Sequence, residues 1–230
     1  MQRTPNPIQP QVPADVREIG DAGGRASFVV AFETALGWMA ICGGMRGIAA
    51  LSFGHRSAEA ARRSAARSLR CAVSLRQAAT ESALPWQRTG SGKLPREISP
   101  DAVSLGPEFC ADRLIERLQA FARGARDDFC DVPIDFGLAT DFTRRVWTAC
   151  RSIGFGTVAT YAELAVRVGA PRAARAVGNA LAANRVPLII PCHRVIASGG
   201  QIGRYSAPGG PSMKRRVLEL EAAAERSDSG

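Results

Sequence analysis

The chain has 230 residues, 46% of them hydrophobic, with 30 Lys plus Arg against 21 Asp plus Glu and a formal net charge of +9 at pH 7. That length allows one sizeable core or two modest ones. No apolar run reaches the roughly 18 residues of a membrane-crossing helix, and the first 25 residues mix Pro, Gln, Asp and Glu without the apolar stretch of a signal peptide. A cytoplasmic protein with no membrane association and a disordered tail over residues 1–25 is expected. Six cysteines (Cys42, Cys71, Cys110, Cys130, Cys150 and Cys192) form no CxxC pair and fit reduced thiols better than a disulfide framework. With only His55 and His193 available, a histidine-rich metal site is excluded, and no cysteine spacing suits zinc, so neither metal nor cofactor is expected.

The charge is uneven. Between Gly137 and Glu221 there are 12 Lys plus Arg against 4 Asp plus Glu, whereas the remainder holds 18 against 17. A basic segment of this kind is the electrostatic footprint of nucleic-acid binding, although it also suits an acidic partner or anionic lipid.

In chain order, residues 28–53 read as a small sheet of three apolar runs (FVVAFET, GWMAICGG, GIAALSF) separated by Gly-containing turns. Residues 57–79 switch to an Ala- and Arg-rich helical pattern whose basic face reads as solvated surface. The stretch 84–107, rich in Pro, Gly and Ser, is predicted to be a long loop. Helical periodicity returns over 111–125, and 131–138 reads as a connector. An amphipathic helix is predicted over 141–153, with Phe142, Val146 and Cys150 on one stripe.

Thr160 followed by Glu163 is a capping box that starts a helix near Tyr161; Gly169 stops it, and Pro171 is predicted to open the next one. Two short helices so joined make a helix-turn-helix candidate, a motif also common away from DNA. In the second helix, 171–183, Ala174, Val177 and Leu181 form the inward stripe and Arg172, Arg175 and Asn179 another face, with nearly everything else Ala or Gly. Small residues permit close approach and the arginines supply reach, which suits a nucleic-acid groove; an ordinary solvated Arg face explains the pattern as well. The run 186–190 is predicted to be a short buried strand ending in Pro191-Cys192-His193-Arg194-Val195. A free thiol ionises near pH ~8.5, so a reactive cysteine needs a base or a positive charge beside it, and His193 and Arg194 are placed to supply one each.

The stretch from Phe142 to Glu221 resembles the C-terminal domain of the O6-alkylguanine-DNA alkyltransferases, the methylated-DNA–protein-cysteine methyltransferases. The resemblance is carried, in family order, by Gly156-Thr-Val-Ala-Thr-Tyr161, Ala173-Ala-Arg175-Ala-Val-Gly178, Asn184-Arg-Val-Pro187, Ile190-Pro-Cys-His-Arg-Val195 and Gly203-Arg-Tyr-Ser206. It implies irreversible, single-turnover transfer of an alkyl group from O6 of guanine to Cys192. His193 would be the base acting through a water, Glu221 the carboxylate that orients it, and Asn184 the brace of the preceding turn. Tyr161 would turn the neighbouring phosphate and protonate the departing guanine. Arg175 would enter the base stack from the minor groove, with Arg172 and Arg194 also on DNA. The backbone of Cys192, Val195, Tyr205 and Ser206, with Pro187, would line the alkylguanine pocket. The partner implied is double-stranded DNA containing O6-alkylguanine, bound by a monomer.

The implied fold is α/β of the α+β kind: a small sheet-plus-helix domain over residues 26–136, ribonuclease H-like, then a mostly helical domain of winged helix-turn-helix type over residues 138–223 and a tail over residues 224–230. The loop between Ser206 and Lys214 is two residues longer than the commoner family loop, which puts tolerance for bulky alkyl groups in doubt. Some relatives hold zinc in the N-terminal domain, but Ile48 stands near where a histidine would be wanted. Two other functions compete: a non-catalytic protein that flags alkylguanine, in which tryptophan replaces the nucleophile, and a Cys-His-Glu thiol hydrolase. Cys192 argues against the first, and the lack of an evident oxyanion device against the second.

Overall fold

A computed structural model describes residues 15–19, 27–44, 46–79 and 111–228. Four strands, β1 (Asp15–Ile19), β2 (Ser27–Phe32), β3 (Trp38–Gly44) and β4 (Gly47–His55), form an antiparallel meander in sequence order. Alternation sorts their side chains by size. Phe28, Val30, Phe32, Met39, Ile41 and Phe53 enter the main core, while Val29, Ala31, Ala40, Cys42 and Ala50 face the other way. On that small-residue face lies helix α1 (Ala58–Ala79), packed through Ala61 and Ala65, so the Ala-rich pattern lets helix and sheet approach closely. A bulge at Ala49, where Cys42 pairs with Ala50 but Gly43 with Ile48, returns Ile48 to the same side as Leu51 and Phe53.

Helix α2 (Ala111–Ala122) covers the large-residue face with Leu114, Ile115, Leu118 and Phe121. The connector after it is irregular but tightly held. Arg117 spans Asp127 and Asp131 with four hydrogen bonds of 2.7–2.8 Å, and Arg151 Nη2 donates to the carbonyls of Phe129, Cys130 and Val132 at 2.7–3.0 Å. Backbone bonds from Ile48 N to Pro133 O and from Asp135 N to Ile48 O stitch the connector to β4.

The remainder is α3 (Asp141–Arg151), β5 (Ala159–Thr160), α4 (Tyr161–Arg167), α5 (Ala174–Ala182), a 3-10 turn at Cys192–Arg194, β6 (Val195–Ile196) and α6 (Gly210–Asp228). The capping box closes as the sequence predicts: Thr160 Oγ1 accepts from Glu163 N at 3.1 Å, and Thr160 N donates to Glu163 Oε2 at 2.7 Å. Val146 and Cys150 of α3 are buried, with Phe142 packed beside them, and Trp147 Nε1 donates to Ala180 O at 2.8 Å, locking α3 to α5.

Four expectations need correction. The segment expected to be tail contributes β1, whose backbone takes up the otherwise open edge of β2. The expected C-terminal tail is helical to Asp228, as an extension of α6. Pro171 does not open α5: it lies in a turn closed by Ala173 N to Ala170 O at 2.8 Å, and the helix begins at Ala174. Residues 186–190 are buried but not a strand. The side chain of Asn184 captures Val186 N and Ile190 O, and Leu188 takes φ 72°, so the run folds back on itself. An apolar run of this length looks the same from sequence in either form. The expected loop over residues 84–107 lies outside the described residues.

One buried cluster reaches from Phe28 to Val217 across the expected domain boundary, and Leu51 N donates to Arg185 O at 2.8 Å. Among the described residues no helix is long and apolar enough to cross a membrane.

Gly47 sits at φ 115°, and a Cβ there would lie 2.4 Å from Pro133 O, the carbonyl that Ile48 needs. Gly47→Ala should therefore cost about 3 kcal/mol or more of stability. Gly124→Ala, at φ 100° with open space around it, should cost only about 1–2 kcal/mol. Chemical denaturation of both variants checks this, and equal losses would contradict the stitch at β4.

Candidate active site

Cys192 is 5% exposed and opens the 3-10 turn, held by Cys192 N to Ile190 O at 2.7 Å and Arg194 N to Pro191 O at 2.8 Å. Asn184 ties this turn to the folded-back run before it. Its Nδ2 donates to Ile190 O at 2.9 Å and to Cys192 Sγ at 3.1 Å, while its Oδ1 accepts from Val186 N. The sulfur thus sits on a rigid turn with an amide N–H aimed at it.

The neighbouring side chains form a buried charge chain. His193 is fully buried, and its Nε2 lies 2.8 Å from Glu221 Oε1. Its Nδ1 is also buried and has no protein hydrogen-bond partner. One ring nitrogen is therefore engaged by the carboxylate and the other is available. Glu221, 1% exposed, also accepts from Arg194 Nε and Nη2 at 3.0–3.1 Å and from Gly156 N at 3.2 Å. Arg194 Nη1 goes to Ile153 O and to Asp128 Oδ1 at 2.7 Å. Burial pushes the His193 pKa down, outweighing the pull of Glu221, so the ring rests neutral. Burial alone would raise the Glu221 carboxyl, but hydrogen bonds and charges from His193 and Arg194 hold it below the usual value.

A cleft of about 710 Å³ opens over Cys192, lined among others by Tyr161, Arg175, Asn179, Tyr205 and Ser206. The parallel pairing of β5 with β6, Ala159 with Val195 and Thr160 with Ile196, fixes the start of α4 beside the cysteine turn and so places Tyr161. Gly203 makes room for that ring: a Cβ there would lie 2.8 Å from Tyr161 Oη. Tyr205 packs edge-on against Phe53 at 6.2 Å between centroids, so β4 buttresses the cleft wall. Arg175 is exposed at the rim on α5, and Arg172 is exposed on the turn before it.

Three sequence-predicted roles do not survive. Arg194 is 1% exposed and committed to Glu221, Asp128 and Ile153, so it cannot contact DNA. Val195 is fully buried and does not line the cleft; it serves through its carbonyl. Pro187 lines a separate cavity of about 460 Å³ behind Asn184, because the folded-back run turns it away from the sulfur. On α6, Val217 docks between Lys214 and Glu221 and is fully buried.

Sequence reasoning missed Lys214 and Asp128. Lys214 is fully buried, with Nζ donating to Val195 O at 2.5 Å and lying 5.8 Å from the Tyr161 ring centroid. Its spacing of seven residues from Glu221 was the available signal, since two helical turns put both on one face. Burial pushes the Cys192 thiol up, while the Asn184 N–H and the Lys214 charge pull it back. The resting group is a thiol with the means of ionising close by.

A buried thiol beside an imidazole held by a carboxylate, beneath a cleft with Arg175 at its rim, is the arrangement of a protein that does cysteine chemistry. The sequence model for the DNA-binding domain of 6-O-methylguanine DNA methyltransferase matches residues 141–223. The methylated-DNA–protein-cysteine methyltransferase of Mycobacterium tuberculosis (strain ATCC 25618 / H37Rv) is 42% identical over 114 residues, covering 50% of this chain and 67% of that protein. That of Mycobacterium leprae is 42% identical over 123 residues, covering 53% and 72%. The crystal structure of Mycobacterium tuberculosis OGT in complex with DNA superposes with a TM-score of 0.54 and 25% identity over 91% of this chain and 93% of that one. The chain belongs to the methylated-DNA–protein-cysteine methyltransferase family.

Removing the buried ammonium should make the thiol harder to ionise. Lys214→Met is expected to raise the pH midpoint of Cys192 alkylation by iodoacetamide by about one unit. Arg215→Met, on the exposed side of the same turn, should leave it unchanged. Peptide mass spectrometry across pH reads both, and a shared midpoint would count against Lys214.

Proposed function

We propose that this protein acts as a cytoplasmic monomer that repairs O6-alkylguanine in double-stranded DNA by moving the alkyl group onto Cys192, once per molecule. The observation that carries the reading is the buried Cys192, Asn184, His193 and Glu221 arrangement opening onto a cleft, in a chain of this family. In this reading residues 138–223 bind DNA and do the chemistry, with α4 and α5 as the helix pair of a winged helix-turn-helix. The ribonuclease H-like part, 26–136, supports them.

The lesion lies inside the duplex, so the nucleotide must leave the stack at a cost of a few kcal/mol. Arg175, exposed on a helix of small residues at the cleft rim, enters from the minor groove and offsets part of that cost. Arg172 meets phosphate. Tyr205 and Ser206 hold the flipped base over the sulfur. His193 takes the Cys192 proton through a water at Nδ1, and Glu221 stabilises the imidazolium. Sγ then attacks the alkyl carbon: the C–S bond forms as C–O6 breaks, and the electron pair passes to the guanine. Tyr161, whose hydroxyl is held protonated by burial, passes a proton to the departing base and regains one from the proton that His193 took from the thiol, so that guanine leaves neutral and both side chains return to their resting state. The product is a thioether, which none of the groups described at the site cleaves.

Incubation with duplex carrying labelled O6-methylguanine tests the reading. Transfer should stop at about one methyl per protein molecule, with the added mass on the Cys192 peptide, and Cys192→Ser should abolish it. Repeated turnover, or label on another residue, would rule it out.

Arg175→Ala separates flipping from chemistry. Repair in duplex should slow by roughly ten- to a hundredfold, in line with the unstacking cost that Arg175 offsets, while transfer from free benzylguanine changes little. Equal losses on the two substrates would place Arg175 in the pocket or the fold instead.

A further inference from the structure

Asp128 stands outside the groups that bear directly on the sulfur, in the connector between α2 and α3, yet it reaches the site. Its Oδ1 accepts Arg194 Nη1 at 2.7 Å, and Arg194 spends Nε and Nη2 on Glu221, the carboxylate that also holds His193. When His193 is protonated, Glu221 must therefore answer to two cations. Counting formal charges, Asp128 and Glu221 supply two negatives and Arg194 one positive, so a protonated His193 completes a neutral group of four, while the Lys214 ammonium is matched by the Cys192 thiolate formed with it. Without the Asp128 charge, the same state leaves a net positive charge around residues that are 0–1% exposed, which a low-dielectric interior penalises.

The placement of Asp128 is also fixed. The connector around it is pinned by Arg117 to Asp127 and Asp131 and by Arg151 to the carbonyls of Phe129, Cys130 and Val132. A partly exposed aspartate on a free loop would exchange Arg194 for water, whereas here the backbone on both sides of Asp128 is clamped. We propose that Asp128 is a positioning residue for the transfer reaction: by neutralising Arg194, it leaves Glu221 free to stabilise the imidazolium formed when His193 takes the Cys192 proton. This rests on the reading of His193 as the base.

The other groups facing the Cys192–His193 pair are Lys214 and Glu221 on α6, Tyr161 on α4, Cys150 on α3, Tyr205 on the loop after β6, and Arg194 beside them. Within that set Glu221 is the one carboxylate, and Asp128 is the second that reaches it through Arg194. The Asp128 side chain is 40% exposed, and solvent screening keeps its influence moderate.

The test uses the full chain as wild type, Asp128→Asn, Asp128→Glu and Glu221→Gln. Single-turnover transfer from methylated duplex and the ultraviolet thiolate absorbance are followed from mildly acid to alkaline pH. Asp128→Asn should slow transfer near neutrality roughly three- to tenfold and move the midpoint of the acid limb of the rate profile, where His193 protonates, to lower pH by roughly half a unit to one unit. The rates should converge with wild type at alkaline pH, where the thiol ionises without its base, and Asp128→Glu should restore the wild-type midpoint. A rate reduced by the same factor at every pH, with the midpoint unmoved, is what a merely structural aspartate gives and would overturn the proposal. If Glu221→Gln shifts the midpoint and Asp128→Asn does not, Asp128 fails while the base assignment stands. If neither shifts it, the base assignment fails and takes the proposal with it. Should Asp128→Asn not fold, judged by its thermal melt, Asp128→Ser replaces it with the same readings.

Discussion

The carboxylate of Glu221 is the constraint around which the C-terminal half is arranged. At 1% exposure it can keep its charge only with donors on every side, and it receives them from His193, Arg194 and the Gly156 backbone. Each donor fixes a different element. His193 and Arg194 lock the 3-10 turn to α6, Gly156 locks the loop before β5, and Arg194 passes the requirement on to Asp128 in the connector. The pairing of β5 with β6 then follows, and with it the position of Tyr161.

The same arrangement explains how a thiol can be kept quiet until substrate arrives. Burial opposes ionisation of Cys192 and protonation of His193 alike, so both rest neutral. The groups that would favour the ion pair, Lys214, Asn184 and Glu221, are already in place and need no movement. Preorganised charge of this kind costs no reorganisation at the moment of reaction. Held so, a single-use nucleophile is kept from casual electrophiles.

Much of the fold is legible in the sequence where the signal is periodic or chemical. The three apolar runs of β2 to β4 and the Thr160–Glu163 box are local features, and local features survive folding. The errors share another cause. Residues 186–190 have the composition of a strand, but the Asn184 side chain supplies the hydrogen bonds that a neighbouring strand would have given. Arg194, adjacent to a reactive-looking cysteine in a basic segment, reads as a surface cation, and only Asp128, 66 residues away, and Glu221, 27 residues away, show it to be buried. Lys214 shares a face with Glu221 by its spacing, but only the stripe of Lys214, Val217 and Glu221 packed against the core shows its ammonium to be buried.

The stretch that matches the family model, 141–223, ends short of the packing it depends on. Phe53 of β4 backs Tyr205, Leu51 binds the Arg185 carbonyl, and Asp128 completes the charge around Arg194. Cut away from these, the shared segment would present an apolar wall to water and an arginine without its Asp128 partner. Heredity and autonomy therefore divide this chain at different places. A fragment designed on the inherited boundary would keep every residue of the reaction and lose the surroundings that make them work.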